Sequence, residues 1–246
     1  MKNTTMRNIT KSIPLLCSLA NLGCGFGVVM CVVNGRYDLA PWLIIVAMLF
    51  DAYDGRLARY FNASSLLGCE LDSLCDVTTF GIAPATLIGG MLQHNSPLLG
   101  WLLGFLFVSS AVYRLARFNA MAVEGGDSKQ YFTGLPTTGA GGMIAALVIL
   151  HQYLILHSCT SIIPQVLPIV AVILSILMVT RIKFSNSMVA VADKLDSPIY
   201  AVLVVIGMVI FALIPQVLPT VLFSGYIISA LIGILKEKLA LRAHKL

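Results

Sequence analysis

The sequence predicts an all-α integral membrane protein with about eight transmembrane helices, on three observations. Of its 246 residues, 58% are hydrophobic and only 11% are charged, whereas a soluble domain carries about 25% charged residues. Apolar runs long enough to cross a bilayer recur along the whole chain, and the basic residues sort to alternate connections between them. A mean hydropathy of +0.91 agrees with lipid as the main solvent.

A spanning helix needs about 20 mostly apolar residues. Such runs lie at roughly 13–34, 39–60, 71–93, 97–120, 136–157, 163–181, 198–214 and 217–235. The first is too long for the apolar core of a cleavable signal, and no small-residue cleavage site closes it. It carries Cys17, Cys24 and Cys31 at intervals of seven, read as small packing residues on one helix face. The six cysteines include no C-x-x-C pair and suggest no disulfide framework. The hexapeptide Ile163–Pro168 recurs as Ile214–Pro219, and both copies fall where a helix starts, a place that tolerates proline. The short link around the second copy predicts a tight helical hairpin between the last two runs.

Basic residues mark the cytoplasmic connections of membrane proteins. Lys2, Arg7 and Lys11 precede the first run, Arg56 and Arg59 follow the second, and Arg114, Arg117 and Lys129 follow the fourth. Arg181, Lys183 and Lys194 follow the sixth, and Lys236, Lys238, Arg242 and Lys245 follow the eighth. Only Arg36 falls on the opposite side. Both termini are therefore expected in the cytoplasm, and a change of one span would break the sorting. No basic stripe interleaved with aromatic residues occurs, which argues against a nucleic-acid partner.

A carboxylate near the centre of a membrane helix costs about 2.5–3.5 kcal/mol on insertion scales. The sequence nevertheless places Asp51, Asp54, Asp72 and Asp76 at the cytoplasmic ends of the second and third runs. Asp51 and Asp54 are three apart, and Asp72 and Asp76 four apart, so each pair shares a helix face. If the two helices are neighbours, four carboxylates converge, and a divalent cation relieves their repulsion. An oxygen-only ligand set favours Mg²⁺, Mn²⁺ or Ca²⁺ over zinc or copper. Gly55 and Ala58 leave space on the Asp51/Asp54 face, Arg59 lies one turn further and suits a phosphate, and Gly68 stands one turn before Asp72. Arg56 points elsewhere and reads as a topology anchor. Salt bridges from all four acids to Arg56 and Arg59 would leave two negative charges unpaired. An ion-coupled membrane transporter would instead need polar groups spread through the membrane depth, whereas these acids cluster at one end.

The run Asp51-Ala-Tyr-Asp54-Gly55-Arg-Leu-Ala58-Arg59, eight further residues, then Gly68-Cys-Glu-Leu-Asp72-Ser-Leu-Cys-Asp76 matches D-x2-D-G-x2-A-R-x7–8-G-x3-D-x3-D at every fixed position. By this run the chain resembles the CDP-alcohol phosphotransferase family. The resemblance implies a core of six membrane helices, in a homodimer, with a metal site opening to the cytoplasm. Residues 1–195 would form that core with its N-terminal segment, and residues 196–246 would add two helices and a basic tail. It implies transfer from a CDP-linked donor to an alcohol with release of CMP. One or two divalent ions, Mg²⁺ or Mn²⁺ (with Ca²⁺ as a crystallographic substitute), would be held by Asp51, Asp54, Asp72 and Asp76. Asp76 would also be the catalytic base, and Gly55, Ala58, Arg59 and Gly68 would line the CDP-lipid site.

Further runs resemble one branch of that family, the integral-membrane bacterial phosphatidylserine synthases. They are Asp72-Ser-Leu-Cys-Asp76-Val-Thr-Thr-Phe80-Gly81-Ile-Ala83-Pro84, Arg114-Leu-Ala-Arg117-Phe118-Asn119, Gly134-Leu-Pro136, and the opening Ile13-Pro14 with Asn21-Leu-Gly-Cys24-Gly25. Ser18 stands where threonine is frequent. The branch implies CDP-diacylglycerol and L-serine as substrates, CMP as co-product, and residence in the bacterial cytoplasmic (inner) membrane among membrane lipid. A zwitterionic amino acid needs a cation for its carboxylate, and arginine suits bidentate capture. Arg114 and Arg117, with Asn119, are candidates for binding serine or substrate phosphate; topology anchoring is the alternative for both arginines. Glycerol 3-phosphate, inositol phosphate and choline are the competing acceptors. The glycerophosphate branch tends to carry Lys where Val77 stands here, and choline would need an aromatic cage, for which Tyr113 and Phe118 are available.

Overall fold

The computed structural model describes residues 2–61, 66–123, 132–180, 183–184 and 216–228, with side chains described over these ranges except at 2–13, 58–59, 122–123, 132–133 and 183–184. Its elements are α1 (Lys2–Val33), α2 (Ala40–Tyr60), α3 (Leu66–Asp76), α4 (Ala83–Leu92), α5 (Pro97–Val123), α6 (Thr137–Leu156) and α7 (Ile163–Val179), with a further short helix, α8 (Leu218–Ile228). Two-residue strands β1 (Phe132–Thr133) and β2 (Lys183–Phe184) form one antiparallel pair. The regular structure of the described residues is thus helical apart from this minimal ladder.

Among the described residues, four stretches are long and apolar enough to cross a membrane: Pro14–Val33, Leu66–Leu92, Pro97–Met121 and Thr137–Leu156. The protein is therefore a multi-pass membrane protein. α7 and α8 are apolar but shorter, and α2 has the length of a span but ends in charged residues. The expected run at 198–214 lies outside the described residues, and α8 is the described part of the run at 217–235. The third stretch begins at Leu66 rather than near 71, because the helix continues through Gly68 and Glu70, which interrupt the apolar pattern but not the backbone.

Turn chemistry and small residues build the bundle. α1 ends at Gly35 (φ +70°), where the Arg36 N–H reaches Cys31 O (2.8 Å) and the Gly35 N–H reaches Val32 O (3.0 Å), a Schellman cap that requires a left-handed residue. α1 then packs along α2 and also touches α3 and α4, meeting the latter near its end, where Val32 lies against Gly90. α4 and α5 approach through a seam of small residues. A Cβ on Gly100 would stand 3.1 Å from Gly89 O, one on Gly104 3.1 Å from Ala85 O, and one on Gly81 3.3 Å from Ala111 Cβ. α6 occupies the centre, with every residue from Gly139 to Ile149 buried. Phe80, Phe107, Ile44, Leu135, Ile144, Leu174 and Met178 fill the core around it.

Between α3 and α4 the helix does not break. Val77–Ile82 continues it as a π-helical segment, and the Ala83 N–H bonds to Thr78 O, five residues back. Here α1 crosses: a Cβ on Gly25 would stand 2.8 Å from the Thr79 Cα. Gly25→Ala is therefore expected to cost about 1–3 kcal/mol by overpacking. It should lower the thermal midpoint of the purified protein, and an unchanged midpoint would show that α1 is not held this tightly.

Candidate active site

The acidic residues occupy the C-terminal part of α2 and the end of α3, where both helices lean on α1. Carboxylate oxygens of Asp51, Asp72 and Asp76 all lie within 4.8 Å of one another. Asp54 sits beside this group, within electrostatic reach of Asp72. Asp54 and Asp76 are 4% and 9% exposed, while Asp51 and Asp72 are half-buried.

α1 supplies groups that hold two of these carboxylates. Ser18 Oγ donates to Asp54 Oδ2 (3.0 Å), and Asn21 Nδ2 donates to Asp76 Oδ1 (3.2 Å). Asn21 is fixed in turn by Thr79, whose hydroxyl donates to Asn21 O (3.0 Å). The close crossing at Gly25 therefore sets the height of both polar residues against the acids. Ser18 and Asn21 are three apart in an otherwise apolar run, which was their signal in the sequence, yet sequence reasoning gave them no role.

The donor set fits a hard divalent cation. Three carboxylates converge on a common volume, oxygen ligands suit Mg²⁺ or Mn²⁺, and the buried Asp72 Oδ1 has no hydrogen-bond partner among the described residues. A buried acceptor left unmade costs about 1–3 kcal/mol, a cost that coordination would remove. On the same face, no atom of the described residues beyond the helix itself lies within 4 Å of where a Cβ on Gly55 would stand. Gly68 is half-buried on the first turn of α3. The side chains of Ala58 and Arg59 lie outside the described residues.

The three residues expected to bind serine or phosphate separate. Arg114 is 7% exposed; its NH1 donates to Thr137 Oγ1 (3.2 Å), its Nε has no hydrogen-bond partner among the described residues, and it lies within electrostatic reach of Asp76. Arg117 turns toward α7, where NH1 donates to Val179 O (3.0 Å), and its guanidinium lies 5.9 Å from the Tyr113 ring centroid. Asn119 Nδ2 donates to Ser73 Oγ (3.1 Å), which ties α5 to α3 next to Asp72. Thr137, at the start of α6, is a third residue, after Ser18 and Asn21, to which sequence reasoning gave no role.

This arrangement can be compared with known proteins. Residues 11–177 match the family model for CDP-alcohol phosphatidyltransferases. The chain belongs to this family. The family match takes in α1 through most of α7, and so every residue of the acidic cluster. Among curated relatives, a CDP-diacylglycerol–serine O-phosphatidyltransferase of Helicobacter pylori is 33% identical over 153 residues, which cover 61% of this chain and 62% of the relative. The protein of that name from Bacillus subtilis is 31% identical over 186 residues, 75% of this chain and 96% of the relative. One from Saccharomyces cerevisiae is 42% identical over 106 residues, 39% of this chain and 36% of the relative. The chain thus spans about three fifths of the Helicobacter relative's length and nearly all of the Bacillus one.

Proposed function

We propose that this family member transfers the phosphatidyl group of CDP-diacylglycerol to the hydroxyl of L-serine, releasing CMP. The carrying observation is a convergent carboxylate cluster next to a buried arginine with an unfilled donor. The relatives named for this reaction support the choice of acceptor.

The cluster explains the chemistry in residue terms. Asp51, Asp54, Asp72 and Asp76 would hold one or two divalent ions, Mg²⁺ or Mn²⁺. When bound, the ion supplies charge neutralisation for the pyrophosphate and the leaving phosphate. Asp76, held by Asn21 and next to the arginine, is assigned the base role: its carboxylate takes the proton of the serine hydroxyl. The serine oxygen then forms the new bond to the phosphorus carrying diacylglycerol, and the bond from that phosphorus to the CMP oxygen breaks. Gly55, Ala58, Arg59 and Gly68 are assigned to the CDP moiety. Arg114 is assigned to the serine carboxylate through its unfilled Nε edge, while Arg117 and Asn119 brace the pocket by tying α5 to α7 and α3.

The distribution of basic residues supports a bacterial cytoplasmic membrane location with eight spans, both termini inside, and the site at the cytoplasmic face. We assign residues 1–195 to the catalytic core and 196–246 to an added pair of helices, and we assign the protein to a homodimer. The deciding assay measures CMP release from CDP-diacylglycerol with serine, choline, glycerol 3-phosphate or inositol phosphate. Serine is expected to support turnover well above the others. Release with another alcohol but not with serine would overturn the acceptor assignment.

A further inference from the structure

The helix α8 lies beyond the part of the chain that matches the family, yet it is seated against α6, the most buried helix of the bundle. Its contacts form a regular antiparallel seam. Thr220 Oγ1 donates to Ala146 O (3.0 Å). Ser224 Oγ lies 3.9 Å from Met143 Sδ. The Phe223 ring fills the space where a Cβ on Gly142 would be, and the Tyr226 ring lies 3.5 Å from where one on Gly139 would be. Each step of three or four residues along α8 thus meets a step of three or four back along α6, the spacing of one helix face. Ile227, on the same side, is buried.

The seam leads from the middle of α6 to its first turn. That turn carries Thr137, the residue that accepts from Arg114 NH1. The Tyr226 ring packs against Gly139, two residues on from Thr137, which brings its phenol within electrostatic reach of the Arg114 guanidinium. A buried guanidinium on a long flexible stem needs more than one contact to hold a single orientation. Thr137 holds one nitrogen, and the Nε edge is left for a ligand.

We infer that α8 completes the acceptor pocket, with Tyr226 acting as a positioning residue whose phenol oxygen fixes Arg114 so that its unfilled edge faces the acceptor's anionic group. The inference rests on the proposed acceptor site and extends it to the segment beyond the family match. The ligand chemistry is a small alcohol bearing a carboxylate or another anionic group. Gly142 serves this purpose, since a Cβ there would collide with the Phe223 ring, whereas one at Gly139 would only touch the Tyr226 ring.

The test uses the full chain in lipid nanodiscs with Mn²⁺ and varies acceptor and CDP-diacylglycerol separately. Tyr226→Phe is expected to raise the acceptor KM about tenfold, the size of a lost hydrogen bond to a charged group. The KM for CDP-diacylglycerol and the kcat at saturating acceptor should stay within about twofold of wild type, and the thermal midpoint should hold. Thr220→Val removes a seam hydrogen bond without touching the arginine and should leave the acceptor KM unchanged. Arg114→Lys should make the further change Tyr226→Phe silent. A wild-type acceptor KM in Tyr226→Phe, or equal rises in both substrates' KM, would overturn the inference. If the wild type uses another alcohol, the serine assignment fails while this test is read on the alcohol that is used. If no alcohol supports CMP release, both fail.

Discussion

Asp76→Asn is expected to lower CMP release by about 10²–10⁴-fold, the contribution of a positioned general base. The amide keeps the size of the carboxyl and still accepts from Asn21 Nδ2, which lies 3.2 Å from Asp76 Oδ1 in the native protein. The fold and the CDP-lipid site should therefore survive. Binding of CDP-diacylglycerol, measured by its protection against thermal unfolding, should stay close to wild type while turnover disappears. Turnover within about tenfold of wild type would remove Asp76 from the base role and move attention to the other carboxylates.

Chelation of divalent cations should reduce turnover to background, and Mg²⁺ or Mn²⁺ should restore it. A structural readout separates this from a general salt effect. A ligand that binds only the folded state at about a hundred times its Kd stabilises it by about 2.7 kcal/mol, so Mn²⁺ should raise the thermal midpoint. Asp72→Ala removes the buried oxygen that has no hydrogen-bond partner and should abolish the rise. It should also ease crowding among the carboxylates, so the metal-free variant should melt no lower than the metal-free wild type. Full activity in excess chelator, or an undiminished Mn²⁺ effect in the variant, would count against a metal centre at this cluster.

The acids announced themselves because lipid-embedded sequence tolerates so few of them, and their helical spacing was visible without coordinates. The third helix's start and the partners of the acids were less accessible. Spacing described a site between two helices. In the structure a third helix supports it, since Ser18 and Asn21 come from α1, 36 and 55 residues away from the acids they hold. No local pattern reports a contact at such separation. Arg114 and Arg117 illustrate the same limit. They lie three apart in one helix and looked equivalent, but Arg114 faces the buried side toward Thr137, whereas Arg117 reaches the last carbonyls of α7. Tyr226 was hidden inside a run that reads only as a membrane span.

The π-helical stretch directly after Asp76 has a consequence for how such a site tolerates change. An α-helix advances about 100° per residue, so one residue more or less within a helix rotates everything beyond it by that angle. Val77–Ile82 absorbs additional backbone between the half that carries Asp72 and Asp76 and the half that carries the Ala85, Gly89 and Leu92 packing face. The two halves thereby keep separate angular phases, one aimed at the polar cluster and one at α5. Substitutions that retune packing along α4 can then accumulate without turning the carboxylates away from their partners, whereas losing a single residue from this stretch would misalign both at once.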